Sequence, residues 1–86
     1  MIMDKIESAI QQVMANVFAI PLEQISIEST QGQIESWDSL KHLDLVVALE
    51  EEFDIFFPAE EIGNLISFKL ISVIVKEQLQ NDGKSY

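Results

Sequence analysis

Positions 38 to 42 of the chain read Asp38-Ser39-Leu40-Lys41-His42, which sets a carboxylate, a hydroxyl and an imidazole within one short segment. These are the parts of a nucleophilic relay, so acyl transfer by the chain itself is the first chemistry to weigh. Residues three apart share a helix face, which lets His42 approach Ser39, but Asp38 is the immediate neighbour of Ser39 and points elsewhere. A hydrolase also needs oxyanion donors and a walled cleft, and a helical chain of 86 residues has little material for either. No catalytic residue is assigned, and an enzyme is not expected. His42 reads as a surface or half-buried helix residue. Glu50, Glu51, Glu52 and Asp54 fail as a metal site, because a calcium loop needs alternating acids followed by a glycine, whereas consecutive glutamates point in different directions around a helix. What remains is a serine in the first turn of a helix, flanked by Trp37 and Leu40, in a strongly acidic setting.

Helices must hold that serine in place. In the first of them Ile2, Ile6, Ile10, Val13 and Val17 recur at steps of three and four with Phe18 beside them, which predicts a helix over 3–18 ended by Pro21. The stretch from Pro21 to Ser36 mixes turn formers with Leu22, Ile25, Ile27 and Ile34, four apolar residues expected to pin a long loop, with room for a helical turn at 22–25. Asp38 can accept from the orphan amides of a first turn, which predicts a second helix over 38–53. Lys41, Asp44, Ala48 and Glu51 mark its polar face. Its apolar set, Leu40, Leu43, Leu45, Val46, Val47, Leu49 and Phe53, is wider than one core stripe requires, so part of it meets several helices or stays exposed for a partner.

After Pro58 a short helix over 59–66 has acids in its first turn and is weakened by Gly63, which costs about 1 kcal/mol relative to alanine. It is expected to be the most mobile element. Ser67 caps a last helix over 68–80 whose core face carries Leu70, Ile71, Ile74, Val75 and Leu79. The expected fold is all-α: a four-helix bundle of three long helices and one short one, forming a single domain over 1–86.

Composition narrows the partners. With a net charge of −10, five lysines and no arginine, the chain has almost nothing to neutralise phosphates, which excludes nucleic acid and favours basic partners. The absence of cysteine removes disulfides, thiolate metal sites and cysteine nucleophiles. Charged residues at Asp4, Lys5 and Glu7 break any signal peptide, and no run approaches the length of a membrane span. A cytoplasmic monomer is therefore expected. Nine acids fall between Glu35 and Glu61 against the single Lys41, so the negative field surrounds Ser39.

The Asp38-Ser39-Leu40 motif, the L-x-L-V-x-A-L-E-E-E-F-D pattern from Leu43 to Asp54, and Pro58 together resemble the freestanding bacterial acyl carrier proteins, and the similarity runs over essentially the whole chain. The resemblance implies that Ser39 receives a covalent 4'-phosphopantetheine from coenzyme A through a separate phosphopantetheinyl transferase that uses magnesium. It implies that acyl groups then travel as thioesters on that arm between enzymes of fatty acid, polyketide or other lipid metabolism. Asp38 becomes a cap and recognition residue beside Leu40, and Leu40, Leu43, Asp44, Val47, Glu50 and Glu51 match the family's partner-facing positions. The working thiol then belongs to the arm, in keeping with the missing cysteine. Ser36 and Trp37 stand where many fatty-acid carriers have glycine-rich sequence, which sets Trp37 close to the path of the arm. Lys41 and His42 replace acidic or neutral residues, and Phe56 and Phe57 add aromatic bulk near Phe53. These departures point to a specialised pathway. An aminoacyl or peptidyl carrier and an unmodified, carrier-like interaction scaffold remain as alternatives.

Overall fold

The computed structural model describes residues 3–84. Four helices, α1 (Lys5–Phe18), α2 (Ser39–Phe53), α3 (Ala59–Ile62) and α4 (Phe68–Asn81), account for the architecture together with two short 3-10 turns at Leu22–Gln24 and Gln31–Gln33. This is an all-α bundle of three long helices and one short one, as the periodicity predicts.

Helix α1 starts at Lys5 rather than residue 3 because Asp4 is extended and serves as its cap. The Glu7 amide donates to Asp4 Oδ1 at 2.7 Å, and the Asp4 amide donates back to Glu7 Oε1 at 3.0 Å, so two otherwise orphaned donors are satisfied. Its inner face carries Ile10, Val13, Met14, Ala15 and Phe18, with Ile6 and Val17 partly buried beside them. Ile2 lies outside the described residues. The helix stops where Ala19 turns left-handed at φ 56° and Pro21 forbids continuation.

The long connection that follows is fastened along its length. Ile25 and Ile34 are buried and Ile27 is half-buried, whereas Leu22 stays largely exposed. The Gln11 side-chain amide donates to Leu22 O at 3.0 Å and Ile25 O at 2.8 Å. The Ser36 hydroxyl donates to Phe18 O at 3.1 Å, which closes the loop back onto the end of α1.

Ser67 Oγ accepts from the Leu70 amide at 3.2 Å and caps α4 as expected. The buried face of α4 is Phe68, Ile71, Ser72, Ile74, Val75 and Leu79. Leu70, placed on that face from sequence, is instead exposed, because the stripe through Phe68, Ile71, Ser72 and Val75 leaves Leu70 about 100° off its neighbour Ile71. Helix α3 ends at Ile62 rather than 66, since the chain beyond Gly63 pairs with the long loop. The Gln31 amide donates to Ile66 O and the Phe68 amide to Ser29 O, each at 2.9 Å, and Thr30 and Ser67 form an isolated antiparallel bridge. Backbone committed to that pairing is extended and cannot continue a helix.

Candidate functional site

Ser39 is the first residue of α2, and its local setting follows from one cap. Asp38 is extended, and its Oδ1 accepts from the Lys41 amide at 2.9 Å, which fixes the helix start and leaves Ser39 exposed on the first turn. The Ser39 hydroxyl makes no hydrogen bond among the described residues. It stands at the positive end of the α2 dipole, which favours an attached anion by roughly 0.3–1 kcal/mol, with the Asp38 carboxylate acting against that benefit.

His42 cannot activate this hydroxyl, because both ring nitrogens are occupied. The Trp37 indole donates from Nε1 to His42 Nδ1 at 3.0 Å, and Nε2 lies 2.8 Å from Ile62 O. An indole N–H only donates and a carbonyl only accepts, so His42 is held as the neutral tautomer with its proton on Nε2. The rings of Trp37 and His42 are stacked at a centroid distance of 6.2 Å. Trp37, expected beside the path of an arm, is in fact 3% exposed and packs against Phe18 at 5.0 Å. The pairing was legible from a local rule: Trp37 precedes the cap and His42 is the fourth helical residue, the two positions that a hydrophobic staple brings together.

The surplus of apolar residues on α2 divides cleanly. Leu45, Val46, Leu49 and Phe53 are buried, while Leu40, Leu43 and Val47 are 75%, 57% and 53% exposed. Spaced by three and four, the exposed three form a stripe that starts beside Ser39, with Asp44 and Glu51 exposed next to it. Ala48, assigned to the polar face, is half-buried and packs on the core. Glu50 also departs from the partner-facing set: it is half-buried, and its Oε2 accepts from the Phe57 amide at 2.9 Å. Phe57 is buried at 5% exposure and Phe56 points outward at 82%.

Acids dominate the surface around α2. Asp44, Glu51, Glu52, Asp54 and Glu60 are exposed. Lys84 bonds both the main-chain carbonyl and the carboxylate of Asp54 at the end of the helix. Among the described residues no group of three or more His, Asp or Glu side chains is arranged to hold a metal ion, and no helix is long and apolar enough to cross a membrane.

An acyl carrier protein of Buchnera aphidicola subsp. Baizongia pistaciae is 35% identical to this chain over 75 residues, an alignment that spans 87% of this chain and 96% of that protein. The chain belongs to the acyl carrier protein family. Members are carriers rather than enzymes, and so is this protein. In structure the carrier is similar to a holo acyl carrier protein from Geobacter metallireducens solved by solution NMR. The match has a TM-score of 0.82 at 24% identity and covers 96% of this chain and 95% of that one, which shows the shared fold. No protein-family model matches the chain.

Proposed function

We propose that this carrier holds acyl groups on a 4'-phosphopantetheine arm joined to Ser39, and that 1–86 act as one carrier domain. The observation that carries the reading is an exposed, unpaired hydroxyl on the first turn of a capped helix in a chain of this family. The site fits the group. Ser39 Oγ is open to solvent, the helix start favours a phosphodiester, and nothing bulky covers it, since Trp37 is turned into the core. The arm supplies a terminal thiol on which an acyl group rides as a thioester. In attachment, Ser39 Oγ loses its proton to a base of the transferase, forms the bond to the pantetheine phosphate of coenzyme A, and the nucleotide bisphosphate leaves. Among the described residues His42 does not serve as that base, since both its ring nitrogens are engaged.

The stripe of Leu40, Leu43 and Val47 with Asp44 and Glu51 is the surface we assign to the transferase and to acyl-loading and acyl-transferring enzymes. Its acids steer basic partners and its apolar residues supply short-range contact, a combination that suits fast, transient hand-over. Lys41 and the outward-facing Phe56 near the serine helix support a dedicated pathway over general fatty-acid synthesis, within a cytoplasmic setting, whereas Trp37 and His42 are engaged with each other inside the fold.

Intact mass after incubation with coenzyme A, magnesium and a promiscuous phosphopantetheinyl transferase tests this reading. One arm should be added to the parent and none to Ser39→Ala. An alanine variant that still gains the arm would place the attachment elsewhere, and a parent that gains none would favour the unmodified scaffold.

A further inference from the structure

Helix α3 is lightly built. It has four residues, no side-chain cap and no buried side chain; Ile62 packs partly on the core. Two side chains of α2 fasten its two ends. Glu50 takes the Phe57 amide at 2.9 Å just before the helix, and His42 Nε2 donates to Ile62 O at 2.8 Å at its last residue. The other bond to Ile62 O, from the Leu65 amide, is long at 3.4 Å, so the imidazole is the principal partner of that carbonyl.

His42 is itself fixed from behind. Trp37 holds Nδ1 at 3.0 Å, stacks on the ring and rests on Phe18 of α1. A continuous line of contacts thus runs from α1 through the loop and α2 to the end of α3. Ser39 lies in the chain between the two residues, Trp37 and His42, that make the line's central link.

We infer that His42 is a latch: its neutral imidazole, held by Trp37, fastens the end of α3 to the serine helix, and α3 leaves α2 only by giving up that bond. The latch thereby controls how readily the core beneath α3 opens beside Ser39. Its consequence for cargo rests on the proposed attachment at Ser39: with the latch closed an acyl chain stays outside the fold, and with it released the chain can enter. His42 is a positioning residue, acting through α3 and touching no substrate.

Two variants separate the latch from simple packing. His42→Phe keeps a flat ring to stack on Trp37 and loses both hydrogen bonds; His42→Gln offers one oxygen to the indole and one N–H to Ile62 O. Amide hydrogen exchange on the unmodified chain is the first readout. In His42→Phe the Asn64 and Leu65 amides should exchange about tenfold faster, the change expected from losing one hydrogen bond that opposes local opening, while amides in the middle of α1 stay within about twofold. His42→Gln should restore the slower exchange to within about threefold of the parent. Unchanged exchange at Asn64 and Leu65 in His42→Phe, or equal acceleration in α1, would overturn the latch. The second readout loads each chain from octanoyl-coenzyme A and follows attack of hydroxylamine on the thioester. Attack should be severalfold slower on His42→Phe, whose core admits the octanoyl chain; equal rates would remove the role in cargo while the exchange result stands. A parent that accepts no octanoyl arm would contradict the attachment at Ser39, and the cargo role with it, without touching the exchange measurement.

Discussion

The two connections that flank α2 both bury apolar residues but place them differently relative to their regular structure. The long one, from Ala19 to Asp38, contains only two 3-10 turns, yet it buries Ile25, Ile34 and Trp37 and is tied by the side chains of Gln11 and Ser36. The short one, from Asp54 to Ser67, buries Ile55, Phe57 and Leu65 on either side of a true helix, yet that helix is fastened at its ends by Glu50 and His42 and contributes no buried residue itself. Secondary structure and firmness of attachment are therefore separate properties here. A loop with buried apolar residues is part of the core, and a one-turn helix with none of its own is a strap between buried neighbours. Each suits its neighbour: the long connection leads into the cap that presents Ser39, and the one-turn helix lies where movement would open the core beside it.

The largest effect that could break this contrast comes from truncating matched residues. Ile25→Ala removes a side chain that is 2% exposed and should cost about 2–4 kcal/mol, seen in denaturant unfolding as a large fall in midpoint. Ile62→Ala in the strap should cost only about 1 kcal/mol, because the residue is half-buried. Equal losses would mean that α3 is as much part of the core as the long loop.

A smaller effect sharpens the role of polar fastening. Gln11→Met preserves the stem and removes the donor to Leu22 O and Ile25 O, which should cost about 1 kcal/mol. Exchange at the Gln24 and Ile25 amides, which close the first 3-10 turn, should rise with it. No change there would show that the buried isoleucines alone hold the loop.

The smallest effect lies away from both connections and sets the scale for surface polar contacts. Lys76 Nζ bonds Asp4 Oδ2 at 2.7 Å, and this bond, aided by the Glu7 amide, holds the Asp4 carboxyl below its ordinary value of 3.8. The same bond raises Lys76 above its ordinary 10.5. The Asp4 contribution is thus complete above pH 3.8 and is lost as pH falls through the lowered value, while that of Lys76 is lost only as pH rises past 10.5 towards its raised value. Both groups are well solvated, so Asp4→Asn, which keeps a capping oxygen, should cost only a few tenths of a kcal/mol at neutral pH and flatten the acid limb of the stability profile. Asp4→Ala also removes the cap and should cost about 1 kcal/mol. Identical losses would show the cap contributing nothing measurable beyond the ion pair, and no loss in Asp4→Asn would show the ion pair contributing nothing.

What the sequence by itself determined is local. Asp38 and Ser67 cap helices because a short acceptor side chain meets orphan amides within three residues, Pro21 bars continuation of α1, and the apolar period chooses Ile10, Val13, Leu45, Leu49, Ile71 and Val75 for the interior. These signals, with the Asp38-Ser39-Leu40 motif, were enough for the bundle and the family. Tertiary structure decided the rest. It turned Leu70 outward, drew Glu50 to the Phe57 amide seven residues on, and ended α3 early because residues 66 and 67 pair with the loop near Thr30. It also brought the His42 imidazole to the carbonyl of Ile62, 20 residues away. Such bonds depend on how far apart and at what angle two elements come to rest, and a helical repeat specifies which side of an element faces inward but neither that distance nor that angle.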